Sequence, residues 1–475
     1  MTHTPQHTSD PVLNGLDRCL HALASGGGDL PQHANRIGQI LWSPPRVVIT
    51  GRVKAGKSTL VNALVGAPVA QTGALETTRV VSVYQDGAPA RTIVAKRDGS
   101  WDERQVRPDE TRPDSFGCPP EDIRYVHRIL PSAALRALTL IDTPGLSAIS
   151  GHGETTRAAF IEGMDQTRTA SVEADAAIFC FDSTPRADEI AFLRELGFTP
   201  LNTLGVLSRA DTFGEGAFGD TDPLDEAARH AQVLAQQLSS TVMTVVPVSG
   251  LLGQTAHCGQ VTEHDARTLQ QLAHINGFPL ADLLDSDAPE PLSEGDRNRL
   301  LGNYAEYGIV YGRDHAAGGA DTLASWMMHR SGVPQLSRVL HEAFRFYATL
   351  GRADRLLAEF DTLAYTHPAR DHIRTVVHQA RSDSALLHVW VFRALKGLLK
   401  EDPNSALVAE LTALLKQPTV AQQLGLPAEA PHQQVRAIAQ QRLARVQHHA
   451  IQGGSAAEDT ALAVLNQVYT AISRS

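Results

Sequence analysis

The chain has 475 residues, more than one hydrophobic core usually supports, so two or three structural units are expected. Its 42% hydrophobic and 20% charged residues suit a globular protein and exclude both disorder and a collagen-like repeat. A net charge of −10 argues against nucleic acid as a partner of the whole surface, and none is expected. The four cysteines (Cys19, Cys118, Cys180 and Cys258) are scattered, with no C-x-x-C pair. That pattern excludes a disulfide framework and a zinc module and points to a reducing, cytoplasmic location. Residues 1–10 are polar and lack the layout of a signal peptide. No apolar run is long enough to span a bilayer, so any membrane contact is expected to be peripheral, possible sites including the inner face of the cell membrane.

In chain order, residues 11–42 carry helical periodicity through Leu13, Leu16, Leu20 and Leu23. A glycine break at Gly26–Gly28 and a second apolar stripe at Ile37, Ile40 and Leu41 follow, and Pro44-Pro45 ends the segment. From 46 to 250, strand and helix signals alternate, the pattern of a sheet flanked by helices. Val47-Val48-Ile49 is a short buried strand, and 57–65 is a helix. Residues 79–84 and 91–95 read as strands joined through the turn dipeptide Asp86-Gly87. Further core strands are predicted at 138–141, 176–181, 203–207 and 242–246. Beyond 265 helices dominate, the best at 352–365, 372–400, 405–416, 433–452 and 456–472. The second of these would run roughly 40 Å, a length suited to a stalk. The predicted fold class is an α/β head, mostly parallel sheet with helices on both faces, plus an all-α bundle. The predicted division is 1–45 (N-terminal helical segment, part of the bundle), 46–350 (head) and 351–475 (bundle or stalk).

Gly51-Arg52-Val53-Lys54-Ala55-Gly56-Lys57-Ser58, with Thr59 next, matches G-x-x-x-x-G-K-[ST] between a strand and a helix. Such a loop wraps phosphates in backbone N–H groups, aided by the helix dipole. Lys57 would bridge the β- and γ-phosphates, and Ser58 would hold Mg²⁺. Asp142-Thr143-Pro144-Gly145 follows a strand, placing Asp142 near the metal through water and the Gly145 N–H near the γ-phosphate. Ser208-Arg209-Ala210-Asp211 resembles the guanine motif [N/T]-K-x-D, and its carboxylate can accept two guanine donors, a contact adenine cannot make. Arg209 replaces the usual lysine and can stack on the base. Val248-Ser249-Gly250 resembles the motif whose backbone N–H meets the guanine carbonyl. Four motifs in this order imply GTP and GDP as ligands. In Glu76-Thr77-Thr78-Arg79, Thr78 is taken as the switch residue that senses the γ-phosphate and binds Mg²⁺, with Thr77 as the alternative.

The run GRVKAGKSTLVNALVGAPVAQTGALETTRVVSVY, with LIDTPGL and VLSRAD, resembles bacterial dynamin-like GTPases, above all the actinobacterial isoniazid-inducible group. The likeness is strong over 45–250 and looser through Tyr304–Gly312 and Ser331-Gly332-Val333-Pro334. It implies a GTPase head, a helical neck or bundle from both chain ends, and membrane remodelling through nucleotide-dependent self-association. A second dynamin-like protein as partner comes with it. Residues 351–475 sum to about +2, leaving about −12 on the rest, an asymmetry that favours an anionic membrane surface.

Leu146 stands where Ras-like GTPases hold a water-orienting glutamine, so catalysis is expected to depend on pairing of heads. Lys54 occupies a position that is asparagine in K⁺-dependent GTPases; its ammonium supplies a built-in charge there or points to solvent. The apolar stretch 386–400, around Trp390 and Phe392, reads as bundle core, with a membrane tip as the alternative. His448-His449 and His367 read as solvated. Two further readings stay open: a regulatory GTPase of the Era type, which shares G-x-x-x-x-G-K-S-T-L-x-N-x-L, and a low-turnover subunit of a heteromeric pair.

Overall fold

The computed structural model describes residues 10–70, 80–105, 119, 122–144, 174–275, 277–285, 291–342 and 344–474. The chain divides into two compact units, one of Pro44–Ile190 with Pro200–Arg345, the other of Met1–Ser43, Ala191–Thr199 and Phe346–Ser475.

Among the described residues, the first unit is built on a nine-stranded sheet of β1 (Arg46–Gly51), β2 (Ser82–Asp86), β3 (Arg91–Lys96), β4 (Trp101–Gln105), β5 (Ile123–Leu130), β6 (Thr139–Asp142), β7 (Ala176–Phe181), β8 (Thr203–Ser208) and β9 (Val245–Val248). The spatial order is β4-β3-β5-β2-β6-β1-β7-β8-β9. The five strands β6-β1-β7-β8-β9 run parallel, whereas β2 is antiparallel to β6 and β3 to both its neighbours. Val47, Val48 and Ile49 in the centre are buried, as continuous apolar runs in parallel sheets must be. Parallel strands place every carboxyl end on one edge, and the loops that leave β1, β6, β8 and β9 there carry the nucleotide motifs.

The turn expected at Asp86-Gly87 does not make a hairpin. β5 lies between β2 and β3, parallel to one and antiparallel to the other. The dipeptide binds the end of β5 instead: Gly87 N–H donates to Leu130 O at 3.1 Å, and Asp86 Oδ1 accepts from Ser132 N–H at 2.9 Å. Burial decides this, because Val126 of β5 closes a dry cluster with Val80, Val94 and Ile123.

Among the described residues, the second unit holds helices and no strand. Pro11–Ala24 starts at Asp10, whose Oδ1 accepts from Val12 N–H at 2.9 Å, and Leu30–Trp42 follows; Leu16, Leu23, Leu30, Ile37 and Leu41 are fully buried. The long helix expected over 372–400 is two helices, Arg370–Ser382 and Leu387–Glu401. Asp383 breaks it with an extended backbone, accepting from Ala385 N–H at 2.9 Å and from Arg18 Nη2 at 2.6 Å. Ser-Asp-Ser offers the backbone such local partners in place of the helical ladder. Leu387–Glu401 is core: Trp390 is 6% and Phe392 1% exposed, and the Trp390 indole N–H donates to Ala380 O at 3.1 Å. His367 is not solvated either, its side chain being 10% exposed. No helix among the described residues is long and apolar enough to cross a membrane.

Candidate functional site

The phosphate loop begins where β1 ends. Gly51 has φ +143°, and a Cβ there would fall 2.1 Å from Cys180 O, so no other residue fits. Lys54 and Gly56 also have positive φ, folding the loop back over the start of helix Lys57–Val65. Gly56 is left-handed at the cap of that helix, and Ala55 is buried beneath the loop. The first backbone N–H groups of the helix face the loop with no partner inside the helix, which makes them an anion site.

Lys57 is 6% exposed, and its Nζ donates to Gly51 O at 3.0 Å and Arg52 O at 2.7 Å. Burial lowers its pKa, and the neighbouring Asp142 and Cys180 act against that. Ser58 Oγ donates to Asp142 Oδ2 at 3.1 Å. Register explains the meeting, since Asp142 on β6 lies beside Ile49 on β1. Thr143 Oγ1 then ties the turn down by donating to Ile49 O at 2.9 Å. Burial pushes the Asp142 carboxyl up to about 6, with Lys57 and the Ser58 hydroxyl drawing it down. Asp142 Oδ1 is buried without a hydrogen-bond partner. A hydroxyl and a buried, under-coordinated carboxylate side by side are the donors a hard divalent cation takes, so the residues present fit Mg²⁺.

The base side is built from β8 and β9. Ser208 Oγ donates to Phe181 O at 3.1 Å. Arg209 has φ +54°, and its Nη2 donates to Lys54 O at 2.9 Å, joining the base motif to the phosphate loop. Asp211 is 6% exposed; burial raises its pKa, against a hydrogen bond from Ser249 that lowers it. Ser249 caps helix Gly250–His257, and Gly250 approaches Thr59 so closely that a Cβ would lie 3.3 Å from the Thr59 methyl. The phosphate, metal and base motifs thus converge on one sheet edge. The Lys54 side chain is exposed, and Val53 is half-buried. Thr77, Thr78, Gly145 and Leu146 lie outside the described residues.

Two supports escaped the sequence reading. Glu189 is 6% exposed and grips the Arg52 guanidinium through both oxygens, at 2.8 and 2.7 Å, while also accepting from Arg186 N–H at 2.8 Å. A glutamate beside Asp188 in the first turn of a helix carries no signal of that pairing. Ser331 O accepts from Ser249 N–H at 2.9 Å, and Gly332 packs so tightly on Pro247 that a Cβ would sit 2.2 Å from its carbonyl oxygen. The S-G-V-P run was visible, but its bracing of the base-side loop was not.

A phosphate loop, a metal-side aspartate and a guanine-type aspartate on one α/β sheet define a P-loop GTPase, which hydrolyses GTP to GDP and phosphate. Residues 46–203 match the family described as 50S ribosome-binding GTPase. Over 375 residues the chain is 30% identical to the isoniazid-induced protein IniC of Mycobacterium tuberculosis (strain ATCC 25618 / H37Rv), covering 72% of this chain and 71% of that protein. To the isoniazid-induced protein IniA of the same strain it is 37% identical over 130 residues, 26% of this chain and 20% of that one. A solved structure of an oligomerised bacterial dynamin pair, described as a mechanism for long-range sensing and tethering of membranes, aligns with a TM-score of 0.36 and 11% identity. That alignment covers 99% of this chain and 76% of the other. The chain belongs to the family of IniC, among the bacterial dynamin-like GTPases.

Proposed function

We propose that GTP turnover in the head drives self-association of this protein and, through it, peripheral binding or remodelling of an anionic membrane from the cytoplasm. The observation that carries the reading is the combination, in one chain, of a nucleotide edge with a separate helical unit drawn from both chain ends. A regulatory GTPase needs no such unit, whereas a mechanoenzyme uses it to turn nucleotide state into shape. Membership of the IniC family supports the same reading, and it leaves room for a second dynamin-like protein as partner.

In the proposed site, backbone N–H groups of 51–59 and Lys57 hold the phosphates, Ser58 and Asp142 hold Mg²⁺ (Asp142 through water), and Thr78 and Gly145 sense the γ-phosphate. Arg209, Asp211, Ser249 and Gly250, with Ser208 beneath them, hold the guanine. Bound Mg²⁺ neutralises charge on the β- and γ-phosphates. Lys54 is assigned the monovalent charge beside the phosphates, so turnover should be indifferent to exchanging K⁺ for Na⁺. Strong K⁺ activation removes Lys54 from that role. The head is proposed to span 46–350 and the bundle 1–45 with 351–475.

Co-sedimentation with anionic liposomes, with and without a non-hydrolysable GTP analogue, tests the membrane part. Nucleotide-dependent pelleting is expected. Failure to pellet in every nucleotide state, alone and with candidate partner proteins, passes the reading to a regulatory GTPase.

A further inference from the structure

Three side chains from two distant stretches of the chain meet in the helical unit, away from any nucleotide motif. Asp29 precedes helix Leu30–Trp42, yet its carboxylate caps none of that helix's backbone N–H groups. His33 lies one turn on, with Nε2 3.7 Å from Asp29 Oδ2. His367 follows helix Phe344–Thr366 and brings its Nε2 to 2.9 Å from Asp29 Oδ1. The two imidazoles stand edge to face, with centroids 5.5 Å apart and planes at 83°. One donor atom from each of the three residues falls within 4.8 Å of the others.

We propose that Asp29, His33 and His367 bind a divalent transition ion of the zinc type, with solvent completing its shell. Metal–ligand bonds of about 2.0–2.2 Å put neighbouring donors on one ion roughly 3–4 Å apart. His367 lies 2.9 Å from Asp29 Oδ1 and His33 3.7 Å from Asp29 Oδ2, and one donor atom from each residue falls within 4.8 Å of the others, so a modest closing of these side chains reaches that spacing. Two imidazole nitrogens and one carboxylate suit Zn²⁺, Ni²⁺ or Cu²⁺, whereas Mg²⁺ and Ca²⁺ seek oxygen donors. Exposure is graded across the site: His367 is 10%, His33 30% and Asp29 59% exposed at the side chain. The imidazoles are therefore held by the fold, while the carboxylate side opens to water and gives an ion its way in.

Proton balance is simple. His367 Nδ1 accepts from Ala369 N–H at 3.0 Å, so its proton sits on Nε2, aimed at Asp29. A bound ion takes Nε2, the proton moves to Nδ1, and the half-exposed Ala369 N–H turns to solvent. No proton leaves the imidazole. The consequence is mechanical: one ion ties the start of Leu30–Trp42 to a turn 338 residues further along the chain. A cysteine-based reading of the sequence has no access to such a site, since its ligands are adjacent only in the fold.

The test uses the full chain, stripped of metal with chelator and titrated with Zn²⁺ alone. Calorimetry should show one tight site, and the thermal midpoint should rise with one equivalent of Zn²⁺ but not of Mg²⁺. His33→Gln should weaken that site at least about tenfold while leaving the midpoint in chelator unchanged, because it spares the Asp29–His367 contact. His367→Gln should abolish the site and also lower the midpoint in chelator. If Zn²⁺ moves neither reading, or moves His33→Gln as much as the unsubstituted protein, the proposal falls and the cluster is an Asp29–His367 hydrogen bond.

Discussion

Asp142 is pulled two ways. Burial in the sheet holds its carboxyl near about 6, although Lys57 and Ser58 both favour the charged form. A carboxyl raised on folding stabilises the native state below its ordinary pKa and loses that share as pH climbs through about 6. Mg²⁺ asks for the opposite, an ionised Asp142. Apparent Mg²⁺ affinity should therefore fall about tenfold per pH unit below about pH 6, and Asp142→Asn should flatten that dependence. Nucleotide binding titrated with Mg²⁺ on both sides of that value reads it out; a flat profile in the unsubstituted protein argues against Asp142 at the metal. Asp211 is the second residue with a sharp test. Asp211→Asn should weaken GTP by about 2–5 kcal/mol and improve xanthosine triphosphate, whose ring carries an acceptor where guanine has an amine. Competition binding with the two nucleotides measures both effects, and unchanged GTP affinity takes Asp211 out of the base site. The phosphate loop was fully legible because its chemistry is local, eight consecutive residues with fixed jobs. Arg52 shows the limit, since its partner Glu189 is 137 residues away and unmarked by any motif.

Helices and strands follow the same division between local and distant causes. Trp390 and Phe392 were read as core from an apolar pattern on more than one helical face, and they are buried. Replacing both with Ser should cost about 3–5 kcal/mol per aromatic and unfold the helical unit, as chemical denaturation would show. Full stability in that variant would return the helix to the surface. The 372–400 helix was misread because its broken stretch is periodic on both sides of Asp383, and the break depends on Arg18, 365 residues away. The Asp86-Gly87 hairpin was misread because turn propensity is local, while the better partner for both flanking strands, β5, is not. Gly332 gives the element-scale test of the base side. It has φ +78°, and a Cβ there would meet Pro247 O at 2.2 Å. Gly332→Ala should therefore displace the Ser249 loop and weaken binding of guanine nucleotides. Nucleotide affinity equal to that of the parent protein would show that Ser331 and Gly332 do not brace this loop.

At the scale of the molecule, sequence order and spatial order part company. The helical unit gathers Met1–Ser43, Ala191–Thr199 and Phe346–Ser475, and only its two terminal portions carry a helical pattern long enough to be set apart. Its middle portion reads as one more element of the α/β alternation, because membership of a unit is fixed by who buries whose apolar face. Around its nucleotide edge the head has Arg52, Arg209, Lys54, Lys57 and the buried Asp142 and Asp211. Leu146, which follows the metal-side motif, cannot hydrogen-bond an attacking water. Turnover per head should then rise with protein concentration as heads pair and complete one another, approaching a plateau once the dimer is saturated. If the helical unit also meets anionic lipid, confinement on liposomes raises the effective concentration and should lift turnover at total concentrations where free heads barely pair. Added salt should remove that stimulation first, since a Debye length of about 8 Å at physiological ionic strength screens attraction to the leaflet. Specific turnover that is constant from nanomolar to micromolar protein would mean that each head carries its own water-orienting group. Self-association would then have to serve something other than catalysis.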